Sequence, residues 1–206
     1  VNGTPTDCVH VAITGLLDLV RGLDPDRYIP LVTFPTVNSF VPEFEAVGVD
    51  VVILDPEAPD PALDRAPGDR PTLPRSSSLR REARRVWRRD LPAARRLRQV
   101  IRDHEVALVH ANNDVSSNRD AIVAALWTRR PVVVHVRWLA EYHHDVKHRI
   151  DRFLAGRVPR FLFMSQAIAS SCADLGIPAE RELVLDDPFH IDDYAVDAPA
   201  GLADQI

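Results

Sequence analysis

The residues best suited to chemistry are polar side chains that follow an apolar run near the middle of the chain. The stretch Val106–Asp120 reads V-A-L-V-H-A-N-N-D-V-S-S-N-R-D, so its apolar start gives way abruptly to polar residues. This pattern predicts a buried parallel strand over Val106–His110 that ends in a polar loop. The candidate binding residues in and after this strand are His110, Asn112, Asn113, Asn118 and Arg119.

A helix is expected directly after this loop. Ser117 is a good N-cap residue, and Asp120 follows it where a capping box needs an acidic side chain. In open α/β sheets, ligands bind outside the carboxyl ends of the strands, which is where this loop would lie. The alternative is that the Asn and Asp residues only form the turn and cap the helix. The sequence leaves both roles open.

The elements that would position this loop alternate between strands and helices. Apolar runs predict further strands at Pro30–Phe34, Val49–Leu54, Pro131–Val136, Phe161–Met164 and Leu183–Leu185. Helical spacing separates most of these runs, first from Thr4 to Gly22, and Ser165 would cap a helix that ends near Gly176. The order of these elements predicts an α/β fold with a Rossmann-like, doubly wound parallel sheet.

An arginine-rich segment follows a loop rich in Pro, Asp, Gly and Ser at residues 55–78, which we expect to be exposed or mobile. Helical spacing then runs from Leu79 to His104, and Pro92 suggests a break between two helices. The residues expected to face inward are Leu79, Ala83, Val86, Trp87, Leu91, Ala94, Leu97, Val100 and Ile101. The residues expected on the opposite face are Arg80, Arg81, Arg84, Arg85, Arg88, Arg89, Arg95, Arg96 and Arg98. Such a face either binds an anionic membrane or is simply solvated.

Composition excludes several classes of protein. The chain has 206 residues, is 46% hydrophobic and has a formal net charge of -5, which argues against a general nucleic-acid binder. Cys8 and Cys172 form neither a disulfide framework nor a metal motif, which fits a reducing cytoplasm. His144 and His148 have a spacing that can bind zinc, but without a third ligand motif we expect no metal. We therefore expect a cytoplasmic protein, peripheral to the inner face of the plasma membrane if Arg80–Arg98 binds lipid.

Several longer sequence motifs are spread over most of the chain. They are L-L-D-L-V-R-G-L-D-P-D-R-Y, F-E-A-V-G-V-D-V-V-I-L, L-V-H-A-N-N with N-R-D-A-I-V-A-A, R-P-V-V-V-H-V-R, F-M-S-Q-A-I-A and L-G-I-P-A-E-R. In this order, from about Leu16 to Tyr194, the chain resembles the N-terminal domain of a family 4 glycosyltransferase of the GT-B fold. The resemblance implies an acceptor-side domain at residues 19–194 and a tail or linker at residues 195–206. A separate C-terminal domain would bind the nucleotide-sugar donor, so little activity is expected from this chain alone.

The resemblance also implies roles for individual residues. Asn112, Asn113 and Arg119 would donate hydrogen bonds to the acceptor, which would be a glycan, a lipid or a small molecule, and no metal or other cofactor is expected. Some family members place a functional His at the end of the strand matched by Val132–Val136, where this chain has Arg137. His135 and Arg137 are therefore only weak catalytic candidates. Ser165 would cap a helix whose N-terminus faces the cleft.

The N-terminus departs from that family. Val1–Asp18, V-N-G-T-P-T-D-C-V-H-V-A-I-T-G-L-L-D, resembles a segment of the SurE-type 5'-nucleotidases, which suggests a chimeric reading frame or a chance likeness. Gly3 and the helix after Thr4 could replace the missing glycine-rich loop in binding phosphate. The first strand of the glycosyltransferase sheet is apparently missing. Its neighbours, Pro30–Phe34 and Val106–His110, would then close on each other or leave a gap.

Three functional classes remain open from the sequence. The first is the glycosyltransferase domain, which would help to transfer a sugar from a nucleotide-sugar to an acceptor hydroxyl. The second is a non-enzymatic Rossmann-like binding module, in which the same sheet holds a ligand without chemistry. The third is a fragment of a metal-dependent nucleotidase, although the aspartate pair of that family is absent from Val1–Asp18.

Overall fold

The computed structural model describes residues 16–58, 79–139 and 146–185. The strands in these ranges are β1 (Leu31–Phe34), β2 (Asp50–Ile53), β3 (Val109–Asn113), β4 (Val132–Val136), β5 (Arg160–Phe163) and β6 (Glu182–Val184). The helices are α1 (residues 16–21), α2 (Val41–Ala46), α3 (Leu79–Arg85), α4 (Leu91–Asp103), α5 (Arg119–Thr128), α6 (Val146–Ala155) and α7 (Gln166–Ser171). A π-helical turn at Val86–Asp90 joins α3 to α4, and 3-10 turns lie at Ala173–Leu175 and Ala179–Arg181.

The described strands form two parallel sheets. β1 pairs with β2, and β3, β4, β5 and β6 form a four-stranded sheet in that order. Each pairing is parallel, for example Leu31 with Asp50 and Val109 with Val132. The predicted α/β fold with parallel strands is therefore confirmed. Because the strands are parallel, their carboxyl ends meet at one edge of each sheet, and side chains from neighbouring strands come together there.

The division between the two sheets falls between β1 and β3. These are the two strands predicted to flank the apparently missing first strand, and among the described strands neither pairs with the other. Of the two expected arrangements, closure of β1 on β3 is absent from the described strands, and the gap stays a prediction. Residues 1–15, including Gly3 and most of the nucleotidase-like stretch, lie outside the described residues. So do residues 59–78 of the predicted loop and residues 140–145, which include His144.

Strand β3 begins three residues later than predicted, at Val109 instead of Val106. The reason is the way α4 ends. Glu105 has a positive φ of 51°, and the Val106 N–H donates to the Ile101 carbonyl at 2.9 Å. This is a Schellman closure, in which the chain after a helix folds back onto the last turn. The predicted bounds Val106–His110 were therefore wrong by three residues at each end, and Asn112 and Asn113 lie within the strand instead of in a loop.

The main core packs helices against the sheet of β3 to β6. Val132, Val134 and Val136 of β4 are at most 1% exposed, and the rings of Phe161 and Phe163 stack with centroids 6.1 Å apart. A second cluster joins α4 to α5 and is formed by Ala94, Leu97, Ile101 and Ala124. Leu54, which directly follows β2, packs against this second cluster. Helix α4 therefore contacts both the four-stranded sheet and the chain that leaves β2.

The arginine-rich segment differs from the predicted inward face. Leu79 is 68% exposed and Trp87 is 72% exposed, although both were expected to point inward, and Ala83 is also exposed. The π turn explains the change. The Leu91 N–H donates to the Val86 carbonyl, five residues back, and Pro92 in the first turn of α4 has no N–H to offer. The wider turn changes the helical phase between α3 and α4.

A buried ionic cluster holds three helices together. The Arg119 guanidinium donates from Nε to Asp151 Oδ1 at 2.7 Å and from Nη1 to Glu82 Oε2 at 3.1 Å. Its Nη2 donates to the Lys147 carbonyl at 3.2 Å, and Asp90 Oδ2 lies 3.8 Å from Nη1. Burial alone would lower the pKa of Arg119, but the Asp151 and Glu82 carboxylates raise it above its ordinary value. Arg119 therefore stays charged, although burial raises the pKa of Asp151, and its contacts fix α3, α5 and α6 to one another.

Replacing Arg119 with Met is expected to destabilise the chain by about 3–5 kcal/mol, because it leaves buried carboxylates without their cation. Chemical denaturation monitored by circular dichroism measures this. The matched control is Arg96→Met, which breaks an ion pair with Asp55 whose side chains are 50% and 39% exposed, and should change stability by less than about 1 kcal/mol. Equal stability of the two variants would contradict a structural role for the cluster.

Candidate functional site

The register of β3 and β4 brings the predicted site residues together at one edge of the sheet. Asn112 pairs with His135 and Asn113 with Val136, so the ends of both strands carry polar side chains. We call this group the β3–β4 edge cluster, and its members are His110, Asn112, Asn113, His135 and Arg137. Four of the five come from strand residues, and Arg137 follows β4 directly. All five are candidate site residues of the sequence analysis.

Arg137 links the two strands within the cluster. Its Nε donates to the Asn112 Oδ1 at 2.6 Å, and its Nη2 lies 3.4 Å from His135 Nδ1. The side chain is only 6% exposed, and its own backbone N–H continues the sheet by donating to the Asn113 carbonyl at 3.0 Å. A buried guanidinium interacts strongly with its surroundings, because little water screens its charge. Arg137 therefore sets the electrostatics of the cluster.

The two histidines of the cluster are neutral at physiological pH. Their ring centroids are 5.5 Å apart. Burial, together with the nearby Arg137 charge, lowers the pKa of His110 to about 4. Burial, Arg137 and His110 lower the pKa of His135 to about 3. Groups with such low pKa values hold protons weakly, so these imidazoles are better suited to accept a hydrogen bond than to act as general bases.

The end of β3 is held by the start of α5. Asn113 has a positive φ of 100°, which is uncommon outside glycine and requires support from its neighbours. The Asn118 Nδ2 supplies that support by donating to the Asn112 carbonyl at 2.5 Å and the Asp114 carbonyl at 2.8 Å. The predicted N-cap, Ser117, is wrong by one residue. Helix α5 has Asn118 at its N-cap position, and the Ser117 N–H donates to Asp114 Oδ1 at 2.6 Å.

Arg119 and Ser165, which were also predicted as site residues, make their contacts away from the edge cluster. Arg119 is 2% exposed and its guanidinium is bound within the ionic cluster, so the contact with a ligand that was expected of it stays a prediction. Ser165 is the N-cap of α7, and its Oγ accepts from the Ile168 N–H at 3.3 Å, which confirms the predicted cap. Gly3 lies outside the described residues.

Sequence reasoning missed two pairs of residues that organise this region. Asp114, which is 7% exposed, accepts from the Trp138 indole Nε1 at 2.8 Å as well as from Ser117. Glu82 and Asp151 are the buried partners of Arg119. An aspartate directly after a buried strand was a visible signal for the first pair. The second pair joins residues far apart in the sequence, so no local pattern could have shown it.

Two members of the edge cluster are almost fully buried, since His135 is 4% and Arg137 is 6% exposed. Two surface hollows occur elsewhere, one of about 330 Å³ where α4 and α5 end, and one of about 500 Å³ beside α6. Neither is lined by a member of the cluster. In residues 16–58, 79–139 and 146–185, no group of three or more His, Cys, Asp or Glu side chains is placed to hold a metal. The edge cluster itself offers hydrogen-bond donors and acceptors around the Arg137 guanidinium.

The lowered pKa values of His110 and His135 predict a pH dependence of stability. Both imidazoles have an ordinary pKa of 6.5 in the unfolded chain, against about 4 and 3 in the fold. Between pH 6.5 and these values the unfolded chain binds protons that the folded chain does not. The free energy of unfolding should therefore be highest above pH 6.5. It should decrease as the pH falls below 6.5, by up to about 1.4 kcal/mol for each unit by which the pKa is lowered.

Denaturation curves of the double variant His110→Asn, His135→Asn test this prediction. The variant should lose less stability between pH 6.5 and pH 4 than the native chain, whatever its absolute stability. His104→Asn, which removes an exposed histidine after α4, is the matched control and should keep the native slope. An unchanged slope in the double variant would show that the histidines are not buried in their neutral form.

Comparisons with known proteins agree with this architecture. The family model described as Glycosyltransferase Family 4 matches residues 36–184, well over half of the chain. No protein of curated function gives a significant match. None of the comparisons supports the nucleotidase resemblance of Val1–Asp18.

Several solved structures share the fold of this chain. Anabaena HepE in complex with UDP is 20% identical with a TM-score of 0.60, and the match covers 94% of this chain and 45% of that one. HepE in complex with UDP-glucose is 21% identical with a TM-score of 0.62, covering 94% and 44%. A glycosyltransferase from Rickettsia africae is 12% identical with a TM-score of 0.57, covering 95% and 43%. The chain thus spans under half the length of these structures. On the strength of the sequence family match, with this fold in agreement, the chain belongs to glycosyltransferase family 4.

Proposed function

We propose that this chain is the acceptor-side domain of an enzyme that transfers a sugar from a nucleotide-sugar donor to an acceptor hydroxyl. The observation that carries the proposal is the β3–β4 edge cluster, which lies within the family-matched residues and at the carboxyl ends of parallel strands. Ligands of open α/β sheets bind at this edge. The cluster offers hydrogen-bond donors and acceptors on a buried scaffold, which is suited to the hydroxyl groups of an acceptor.

The reaction defines what each group has to do. A bond forms between the acceptor oxygen and the anomeric carbon as the bond from that carbon to the diphosphate breaks. The diphosphate leaves with the bonding electron pair, and the hydroxyl proton passes to this departing group. Asn112, Asn113 and Arg137 would orient the acceptor oxygen, and orientation alone lowers the barrier of such a step substantially. The neutral His135 would accept a hydrogen bond from the acceptor. Its low pKa favours this positioning role over proton removal at neutral pH.

The donor would be bound by residues outside the described sheet edge. Solved relatives of this fold were crystallised with UDP and with UDP-glucose, which supports a uridine diphosphate sugar as the donor class. This chain spans less than half of each of those structures. We propose that residues 19–194 bind the acceptor, that residues 195–206 form a tail or the start of a linker, and that a second domain binds the donor. The chain alone would then have little transferase activity.

The test is an assay of transfer from radiolabelled UDP-glucose and other nucleotide sugars to lipid and oligosaccharide extracts. We expect transfer by the natural full-length protein and none by the 206-residue chain. Arg137→Met in the full-length protein should lower kcat/KM by about 10-fold or more, because a buried charged hydrogen bond is lost. Arg130→Met, which changes an exposed arginine after α5, is the matched control.

Three outcomes would contradict the proposal. One is turnover by the chain alone, since that would place donor chemistry within it. Another is equal activity of the Arg137→Met and Arg130→Met proteins, provided that both melt like the native protein. The third is saccharide binding by the full-length protein without transfer from any nucleotide sugar. This last result would favour the non-enzymatic binding module.

We also propose that α3 and the π turn bind the anionic inner face of the plasma membrane. No helix in residues 16–58, 79–139 or 146–185 is both long and apolar enough to cross a bilayer. Trp87 and Leu79 are exposed beside exposed cationic side chains, and Glu82 is the buried residue of α3. These exposed arginines are Arg80, Arg81, Arg84, Arg88 and Arg89. Exposed aromatic and basic residues together are typical of interfacial binding.

Co-sedimentation with vesicles tests this surface. We expect stronger binding to phosphatidylglycerol-rich vesicles than to pure phosphatidylcholine at low salt, with a loss of binding as salt increases. The triple variant Arg84→Gln, Trp87→Ala, Arg88→Gln should abolish the difference. A control of the same composition is Trp127→Ala, Arg129→Gln, Arg130→Gln at the end of α5. Equal binding to both vesicle types, or equal loss in both variants, would contradict the proposal.

A further inference from the structure

Trp138 is held at the carboxyl edge of β4 by a carboxylate that is itself fixed. The indole Nε1 donates to Asp114 Oδ2 at 2.8 Å, while Asp114 Oδ1 accepts from the Ser117 N–H at 2.6 Å. The Asp114 carbonyl in turn accepts from Asn118 Nδ2 at 2.8 Å. Asp114 is 7% exposed, so these bonds form in a region with little water. The indole therefore has a set position beside the β3–β4 edge cluster.

The side chains on either side of this indole differ from it in exposure. Arg137 is 6% exposed and bound within the edge cluster, whereas Trp138 is partly exposed and Leu139 is 65% exposed. The one polar atom of the indole is satisfied by the buried Asp114. What Trp138 offers to solvent is consequently apolar ring surface only. A rigid apolar ring next to hydrogen-bonding side chains suits a ligand that combines apolar and polar faces.

We propose that Trp138 is a stacking platform for a pyranose ring of the acceptor. A pyranose has a face of C–H groups with partial positive charge, which is attracted to the negative face of an aromatic ring. Its hydroxyl groups would then lie toward the amide of Asn112 and the guanidinium of Arg137. The inference rests on the proposed function and narrows it, because it makes the acceptor a saccharide or a glycosylated molecule.

Nuclear magnetic resonance of the full 206-residue chain tests the platform. The probes are both anomers of the methyl pyranosides of glucose, galactose, mannose and N-acetylglucosamine, with glycerol as a polyol without a ring. At least one pyranoside should shift the Trp138 indole N–H signal and receive saturation transfer through its ring C–H protons. Glycerol should do neither. Absence of any effect across the panel would overturn the inference.

Variants separate the platform from the fold. Trp138→Ala should abolish the saturation transfer, and Trp138→Phe should retain it with affinity about 2- to 10-fold weaker, since a smaller ring still stacks. Asp114→Asn can accept only one of the two hydrogen bonds, so it should weaken binding while the Trp138 ring remains present. The matched control is Trp127→Ala, which removes a tryptophan that is 43% exposed at the end of α5. Equal losses in Trp127→Ala and Trp138→Ala would also overturn the inference.

The experiment distinguishes this inference from the proposed function. If the full-length protein transfers sugar but no pyranoside contacts Trp138, the proposed function is supported and the Trp138 inference is overturned. If pyranosides contact Trp138 but no donor is turned over, the Trp138 inference is supported and the proposed function is overturned. Should Trp138→Ala fail to fold by circular dichroism, the comparison of Trp138→Phe with Asp114→Asn decides the question. Native affinity in both of those variants would overturn the inference.

Discussion

The placement of α3 depends on one buried cation. Arg119 is 2% exposed and its guanidinium contacts Glu82 of α3, Asp151 of α6 and the Lys147 carbonyl. Such a group is expensive to bury, so it is stable only while every partner stays in position. Glu82 is the buried residue of α3, and it is charged rather than apolar. The helix is therefore held by ionic contacts, and the outer face of α3 and the π turn, with Leu79 and Trp87, is left for solvent or a partner.

The same constraint connects the ionic cluster to the candidate site. Asn118, whose amide supports the end of β3, directly precedes Arg119 in the chain. Fixing Arg119 between α3 and α6 therefore fixes the first turn of α5, and with it the carbonyls of Asn112 and Asp114. A positive φ at Asn113 is tolerated because this turn cannot move away. The polar edge is rigid because a buried charge lies behind it.

Much of the fold could be predicted from periodicity, and its errors have specific physical causes. The alternation of strands and helices and the Ser165 cap follow from local signals, and both are confirmed. The predicted start of β3 was wrong because the Val106 N–H donates to the Ile101 carbonyl and closes helix α4. An apolar residue in that closure looks like the start of a strand. The prediction that Trp87 faces inward was wrong because a π turn changes the helical phase. A rule that assumes uniform helical spacing does not include such a turn.

The candidate site shows where sequence reasoning reaches its limit. Arg119 was expected to donate a hydrogen bond to the acceptor and Arg137 was a weak catalytic candidate, but no local pattern in the sequence shows the partners of either arginine. Their neighbours separate them, because Arg119 is neutralised by carboxylates, whereas Arg137 contacts an amide oxygen and a histidine. Burial lowers the pKa of His110 and His135 most, and the positive charge of Arg137 lowers it further. Long-range partners, and not residue type, thus distinguish the surroundings of the two arginines.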